Sequence, residues 1–183
     1  EFRRVLFRSP QDVKGALTRW TVDPKAEGGE VTETVIGPPG DFPVIPARLQ
    51  GRRYQTGFLL SMNPALQGPP LFAGPVGVSF NMLLRLDGMD TPTPQVTQAL
   101  PLPPMAGYNE PVHVPANDPA HEGWLVCIVD QQTGDAFTHE AWVLDAGKIG
   151  AGPVAKVKIP ARLRPQVHGW WVPQAQIDAG VQA

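Results

Sequence analysis

Short runs in which apolar and polar residues alternate recur along this chain, and the 3.6-residue rhythm of a helix hardly occurs. GALTRWTVD sets Leu17, Arg19 and Thr21 against Thr18, Trp20 and Val22. PKAEGG then turns, and EVTETVIG alternates again through Val31 and Val35, which predicts a hairpin. RRYQTGFLLSM and SFNMLLRLD read as a third and a fourth strand, and EPVHVPA as a short extended piece bounded by prolines. GWLVCIVDQQTGDAFTHEAWVLDA is the clearest hairpin, with QQTGD as its turn. In PVAKVKIP, Val154, Lys156 and Lys158 face away from Ala155, Val157 and Ile159. The proline-rich stretch DTPTPQVTQALPLPP is expected to be a loop or covering segment, and DAGKIGAGPVA to hold one helical turn at most. The pattern predicts an all-β fold, and periodicity alone does not choose among sandwich, barrel and propeller.

Composition narrows the function classes. Charged residues make up 17% and the formal net charge is −2, so no basic field points to nucleic acid. No apolar stretch approaches the roughly 20 residues of a membrane span, so no transmembrane segment is expected. Cys127 is the single cysteine and stands in the apolar run GWLVCIVD, where a small core residue is expected. One cysteine permits no disulfide framework, which fits a reducing, cytoplasmic compartment. The first nine residues, EFRRVLFRS, read as translated adapter or vector sequence and are set aside from the fold reading.

Four histidines are available for chemistry: His113, His121, His139 and His168. None stands in an H-x-x-x-H arrangement, and no Cys-x-x-Cys, G-x-S-x-G or phosphate-binding glycine loop is present. His121 and His139 flank turns and are expected to be solvated. From the residues alone, the chain reads as a β-rich module without an assigned activity.

Several segments in register carry more. GALTRWTVDP with GDFPVIPARLQGRRYQTGF, then NEPVHVPANDPAHEGWLVCIVD, then EAWVLDAGKIGAGPVAKVKIPARLRPQVHGWWVP follow one another over most of the chain. In this order they resemble the C-terminal part of the carotenoid cleavage oxygenase family, with bacterial lignostilbene dioxygenase-like members the nearest in pattern. The resemblance implies an incomplete portion, about two to three blades, of a seven-bladed β-propeller. It places that portion at residues 10–175, followed by a tail at 176–183. It also implies a mononuclear Fe(II) held by four histidines, of which this chain contains the last.

That last ligand lies in the family's closing F-H-G block, where His168 stands in RPQVHGWWVP. Imidazole is a borderline donor suited to Fe(II), and a metal-bound imidazole usually gives its other N–H to a carboxylate. The resemblance assigns that carboxylate to Glu110, so a Glu110–His168 hydrogen bond is expected in a buried metal centre. Gly169 is expected to let the backbone pass close to neighbouring strands, with Trp170 and Trp171 on opposite faces of a strand. Asp41 takes the place of a further second-shell glutamate, one methylene shorter, whose family partner is another histidine. His113, His121 and His139 fall at positions that are not ligands in the family.

The implied activity is cleavage of a C=C bond with O₂ to give two aldehydes. The substrate would be a hydrophobic conjugated small molecule, a phenolic stilbene in first place and an apocarotenoid in second. The chain by itself is expected to be inactive and, with cut blade edges, poorly soluble. The rival reading is a non-catalytic β module that binds a partner through TPTPQVTQALPLPPM as an extended polyproline stretch.

Overall fold

The alternating runs do form strands. A computed structural model describes residues 15–26, 29–72 and 77–181; the leading EFRRVLFRS lies outside them. The first hairpin joins β1 (Ala16–Val22) to β2 (Val31–Pro39). A four-stranded antiparallel meander follows, made of β3 (Asp41–Val44), β4 (Thr56–Ser61), β5 (Met82–Asp87) and β6 (Gln95–Pro101). The third sheet contains β7 (Ala106–Tyr108), β8 (Val112–Val114), β9 (Trp124–Thr133), β10 (Ala136–Asp145) and β11 (Pro153–Ile159). Its order is β11-β10-β9-β7, with β8 also paired to β9, so it too is a meander whose first strand is split in two.

The β9–β10 turn takes only the end of the expected QQTGD, Gly134 and Asp135, since Gln131, Gln132 and Thr133 are paired in the strand. Thr133 pairs with Ala136, and Gly134 takes φ 58° at the first turn position. Two-residue hairpin loops need positive φ there, a conformation that costs glycine little.

The stretch expected as a proline-rich loop is different. Its residues Gln95–Pro101 are β6, with Leu100 opposite Leu83 and Gln95 opposite Asp87. Prolines are tolerated because β6 is the edge strand, where one row of amides needs no partner. Its backbone is therefore engaged in a sheet and not free to present a polyproline ligand.

The runs FLL and MLLRL are apolar on both faces because β4 and β5 are covered on both. Phe58, Leu60 and Leu83 pack with Leu125, Cys127 and Leu144 of the third sheet and with Ile149 of the turn that follows β10. Leu59, Leu84 and Leu86 pack on the other side with Ile36 and Leu17 of the first hairpin. The opposing residues agree with a two-residue side-chain period, since Leu59 pairs with Leu84 and Leu60 with Leu83. Two turns of 3-10 helix (Ala47–Leu49 and Ile149–Ala151) and a terminal helix α1 (Gln174–Val181) complete the chain. The residues set down as a tail thus begin inside α1. Among the described residues no helix is long and apolar enough to cross a membrane.

Candidate metal centre

The split in the first strand of the third sheet creates the site. β7 ends with Tyr108 opposite Val129, and β8 resumes with Val112 opposite Val126. Asn109, Glu110 and Pro111 therefore stand opposite only Cys127 and Ile128, which is a β-bulge. Pro111 has no N–H to give a ladder, so an interruption at this point costs no amide bond. The bulge re-aims Asn109 and Glu110 toward residues 160–173, an extended strap that runs past the sheet.

Glu110 Oε2 accepts the Gly169 N–H at 2.9 Å and faces His168 Nδ1 at 3.3 Å. The expected carboxylate–imidazole pair is present. A carboxylate partner places the ring proton on Nδ1 and leaves the Nε2 lone pair for another use. Among the described residues nothing hydrogen-bonds Nε2. The ring itself is 80% exposed, whereas an enclosed position was expected. The strap that bears it joins no sheet: it lies along the outside of the bulge, held by side chains. Trp170 and Trp171, expected on a strand, also lie on the strap and are 79% and 46% exposed in this chain.

Gly169 meets its expectation. A Cβ there would sit 2.8 Å from Val112 Cγ2, so only glycine lets the strap approach β8 this closely. Gly169→Ala is expected to lift the strap, costing about 1–3 kcal/mol of local stability. Hydrogen exchange at the Gly169 amide would show the change, and unaltered protection would contradict it.

A second bulge contributes from the four-stranded sheet. Asp41 pairs with Leu60 and Val44 with Phe58, so Phe42 and Pro43 face Leu59 alone. Phe42 takes φ 53°, rare for an aromatic residue. Its ring meets the His168 ring edge-to-face at 6.3 Å and the Phe80 ring at 6.0 Å. Asp41 Oδ1 accepts the Phe42 N–H at 2.7 Å, so that carboxylate fixes the bulge beside His168. Beneath His168 opens a cleft of about 160 Å³, with apolar walls from Val112, Val114, Val126 and Trp171.

The other histidines have separate partners. His113 lies between cleft-lining Val112 and Val114, so its side chain points to the opposite face. It is buried, its Nε2 is 2.8 Å from the Glu122 carbonyl, and burial pushes its pKa down. His121 accepts the Gly123 N–H and stacks against Trp124 at 4.5 Å. His139, expected to be solvated, is only 5% exposed and sits 2.6 Å from Asp130. It lies inside β10, directly opposite Asp130, a register that could have been counted back from the Gly134 turn. Cys127 is a core residue as expected, and burial pushes its thiol up to about 12.

Among the described residues no group of three or more His, Cys, Asp or Glu side chains forms a metal-binding cluster. What fits a metal is one position: an imidazole with Nδ1 held by Glu110 and Nε2 available beside an apolar cleft.

The family model described as retinal pigment epithelial membrane protein, RPE65, matches residues 2–173. The chain belongs to this family. Its members include the carotenoid cleavage oxygenases whose blocks the sequence resembles. Lignostilbene-alpha,beta-dioxygenase isozyme III of Sphingomonas paucimobilis is 28% identical over 92% of this chain and 34% of its own length. Isoeugenol monooxygenase of Pseudomonas nitroreducens is 29% identical over 91% of this chain and 34% of its own. The crystal structure of Pseudomonas brassicacearum lignostilbene dioxygenase matches with a TM-score of 0.70 at 30% identity, over 86% of this chain and 32% of that one. The chain thus spans about a third of the length of these relatives. Carotenoid oxygenase structures are β-propellers, and the two meanders here correspond to two of their blades, with the β1–β2 hairpin part of a third.

Proposed function

We propose that this chain is the part of a non-haem Fe(II) dioxygenase that supplies one iron ligand, His168 through Nε2, and one wall of the substrate cleft. The observation that carries the proposal is the Glu110 carboxylate seated on His168 Nδ1, with the strap amide of Gly169 on the same oxygen. Two donors on one oxygen fix both the ring and the backbone that bears it. When bound, Fe(II) would supply the activation of O₂ beside an electron-rich double bond.

The residues of this chain do the holding. Glu110 sets the tautomer, Phe42 limits rotation of the ring, and Asp41 keeps Phe42 in place. Val112, Val114 and Trp171 offer an apolar flank to a flat, conjugated molecule and keep water from it. That flank, together with the names of the relatives, favours a phenolic stilbene split at its C=C bond into two aldehydes. One imidazole does not hold Fe(II) against water, so the chain alone is proposed to be without turnover.

The test is an extended polypeptide in which this chain is joined to the remaining two thirds of the relatives' length. It is expected to bind about one iron and to cleave a phenolic stilbene faster than isoeugenol or an apocarotenal. Cleavage of the apocarotenal alone would reject the stilbene reading, and absence of bound iron would reject the whole.

A further inference from the structure

The strap carries no backbone ladder: among the described residues, 160–172 make no backbone–backbone hydrogen bond outside strand pairing. Three of its amides are taken by side chains instead. Leu163 N–H goes to His139 Nε2 at 3.2 Å, Gln166 N–H to Asn109 Oδ1 at 2.7 Å and Gly169 N–H to Glu110 Oε2 at 2.9 Å. The donors are spaced by three, the repeat with which one face of a polyproline-type extended chain recurs.

Two of these acceptors belong to one buried relay. Asn109, Asp130 and His139 are 8%, 6% and 5% exposed. Because Leu163 donates to His139 Nε2, the ring proton is on Nδ1 and faces Asp130 Oδ1 at 2.6 Å. Because Gln166 donates to Asn109 Oδ1, the amide nitrogen faces Asp130 Oδ2 at 2.9 Å. Every proton in the chain Leu163–His139–Asp130–Asn109–Gln166 then has one placement. A buried carboxylate with two donors, each of which also receives an N–H, is a rigid clamp.

We propose that the Asn109–Asp130–His139 relay is a positioning device that fastens the strap at Leu163 and Gln166 and so fixes where His168 stands. None of the three touches the ring. They act through the backbone, with Asn109 and Glu110 side by side on the bulge so that the clamp and the His168 anchor share one support. The role of His168 as a ligand rests on the function proposed above; the clamp does not.

The test needs no metal. Amide exchange is measured on the metal-free extended polypeptide as wild type, His139→Phe and His139→Gln, with the β4 and β5 amides as internal reference. Phenylalanine fills the space without an acceptor, whereas the glutamine carbonyl can reach the place of Nε2. Protection at Leu163 and Gln166 is expected to fall about tenfold in His139→Phe and to stay within about threefold in His139→Gln. The ring ¹⁵N shifts of His168 are expected to move toward the tautomer mixture of free histidine in His139→Phe alone. Unchanged strap protection in His139→Phe, or no recovery in His139→Gln, would overturn the clamp. A uniform loss across both sheets would overturn it equally, since His139 would then be a core prop. Because iron enters none of these readings, a metal-free extended protein would reject the proposed function and leave this result standing.

Discussion

Replacing His168 by alanine in the extended polypeptide is expected to abolish iron retention, while Glu110→Gln lowers metal affinity by about 10–100-fold. The two differ because they remove different things. Alanine deletes the donor itself, and a vacated coordination position refills with water. Glutamine keeps an acceptor for the Gly169 N–H but removes the charge that makes the imidazole a better donor and holds its proton on Nδ1. Within this chain His168 is 80% exposed and buries little area, so its loss costs this part of the fold little. Near-UV circular dichroism of the tryptophans should therefore be unchanged while the iron content falls. An alanine variant that keeps stoichiometric iron would show that His168 is not a ligand.

The sequence makes the strands and the Glu110–His168 pair legible, and each for a different reason. Strand alternation is local, so β1, β2, β4, β5, β9, β10 and β11 can be read from the chain. The pair is 58 residues apart in sequence and was accessible only through the order of motifs that resemble a family. β6 is not legible because five prolines outweigh a weak alternation through Val96, Gln98 and Leu100, and edge position, a tertiary fact, decides whether prolines are tolerated. β3 and β7 are too short to carry a period; one bulge lies inside β3 and another follows β7. Bulges are invisible to a two-residue pattern, yet they aim Phe42, Asn109 and Glu110. The HGWWVP ending reads as a strand, whereas it belongs to the strap. In fact, side chains of the neighbouring sheet take the strap amides, and no ladder forms.

Arg85→Met is expected to lower stability by about 2–4 kcal/mol, measured by urea unfolding near neutral pH. Arg85 is 8% exposed on β5, on the face that meets the third sheet. Its guanidinium spans Asp87 at 3.0 Å on its own strand, Glu122 at 2.6 Å and the Ala146 carbonyl at 2.8 Å across the interface. Methionine restores the packing volume but strands an acceptor and two carboxylates. Side-chain exposures of 33% for Asp87 and 48% for Glu122 let both rehydrate, which keeps the cost below that of a fully enclosed pair. Acid then provides a second reading. Burial opposes the charge on Asp87, but hydrogen bonds from Arg85, Thr97 and Thr56, with the Arg85 charge, outweigh it and hold the carboxyl below the usual aspartate range. A carboxyl depressed in the folded state contributes stability above its unfolded pKa of about 3.9, and that contribution is lost as pH falls through the folded value. The difference between wild type and Arg85→Met should therefore be full at about pH 7 and shrink as pH falls below the unfolded value of about 3.9. A gap that stays constant into acid would mean that Arg85 joins the two sheets by packing and its bond to Ala146, with the carboxylates as bystanders.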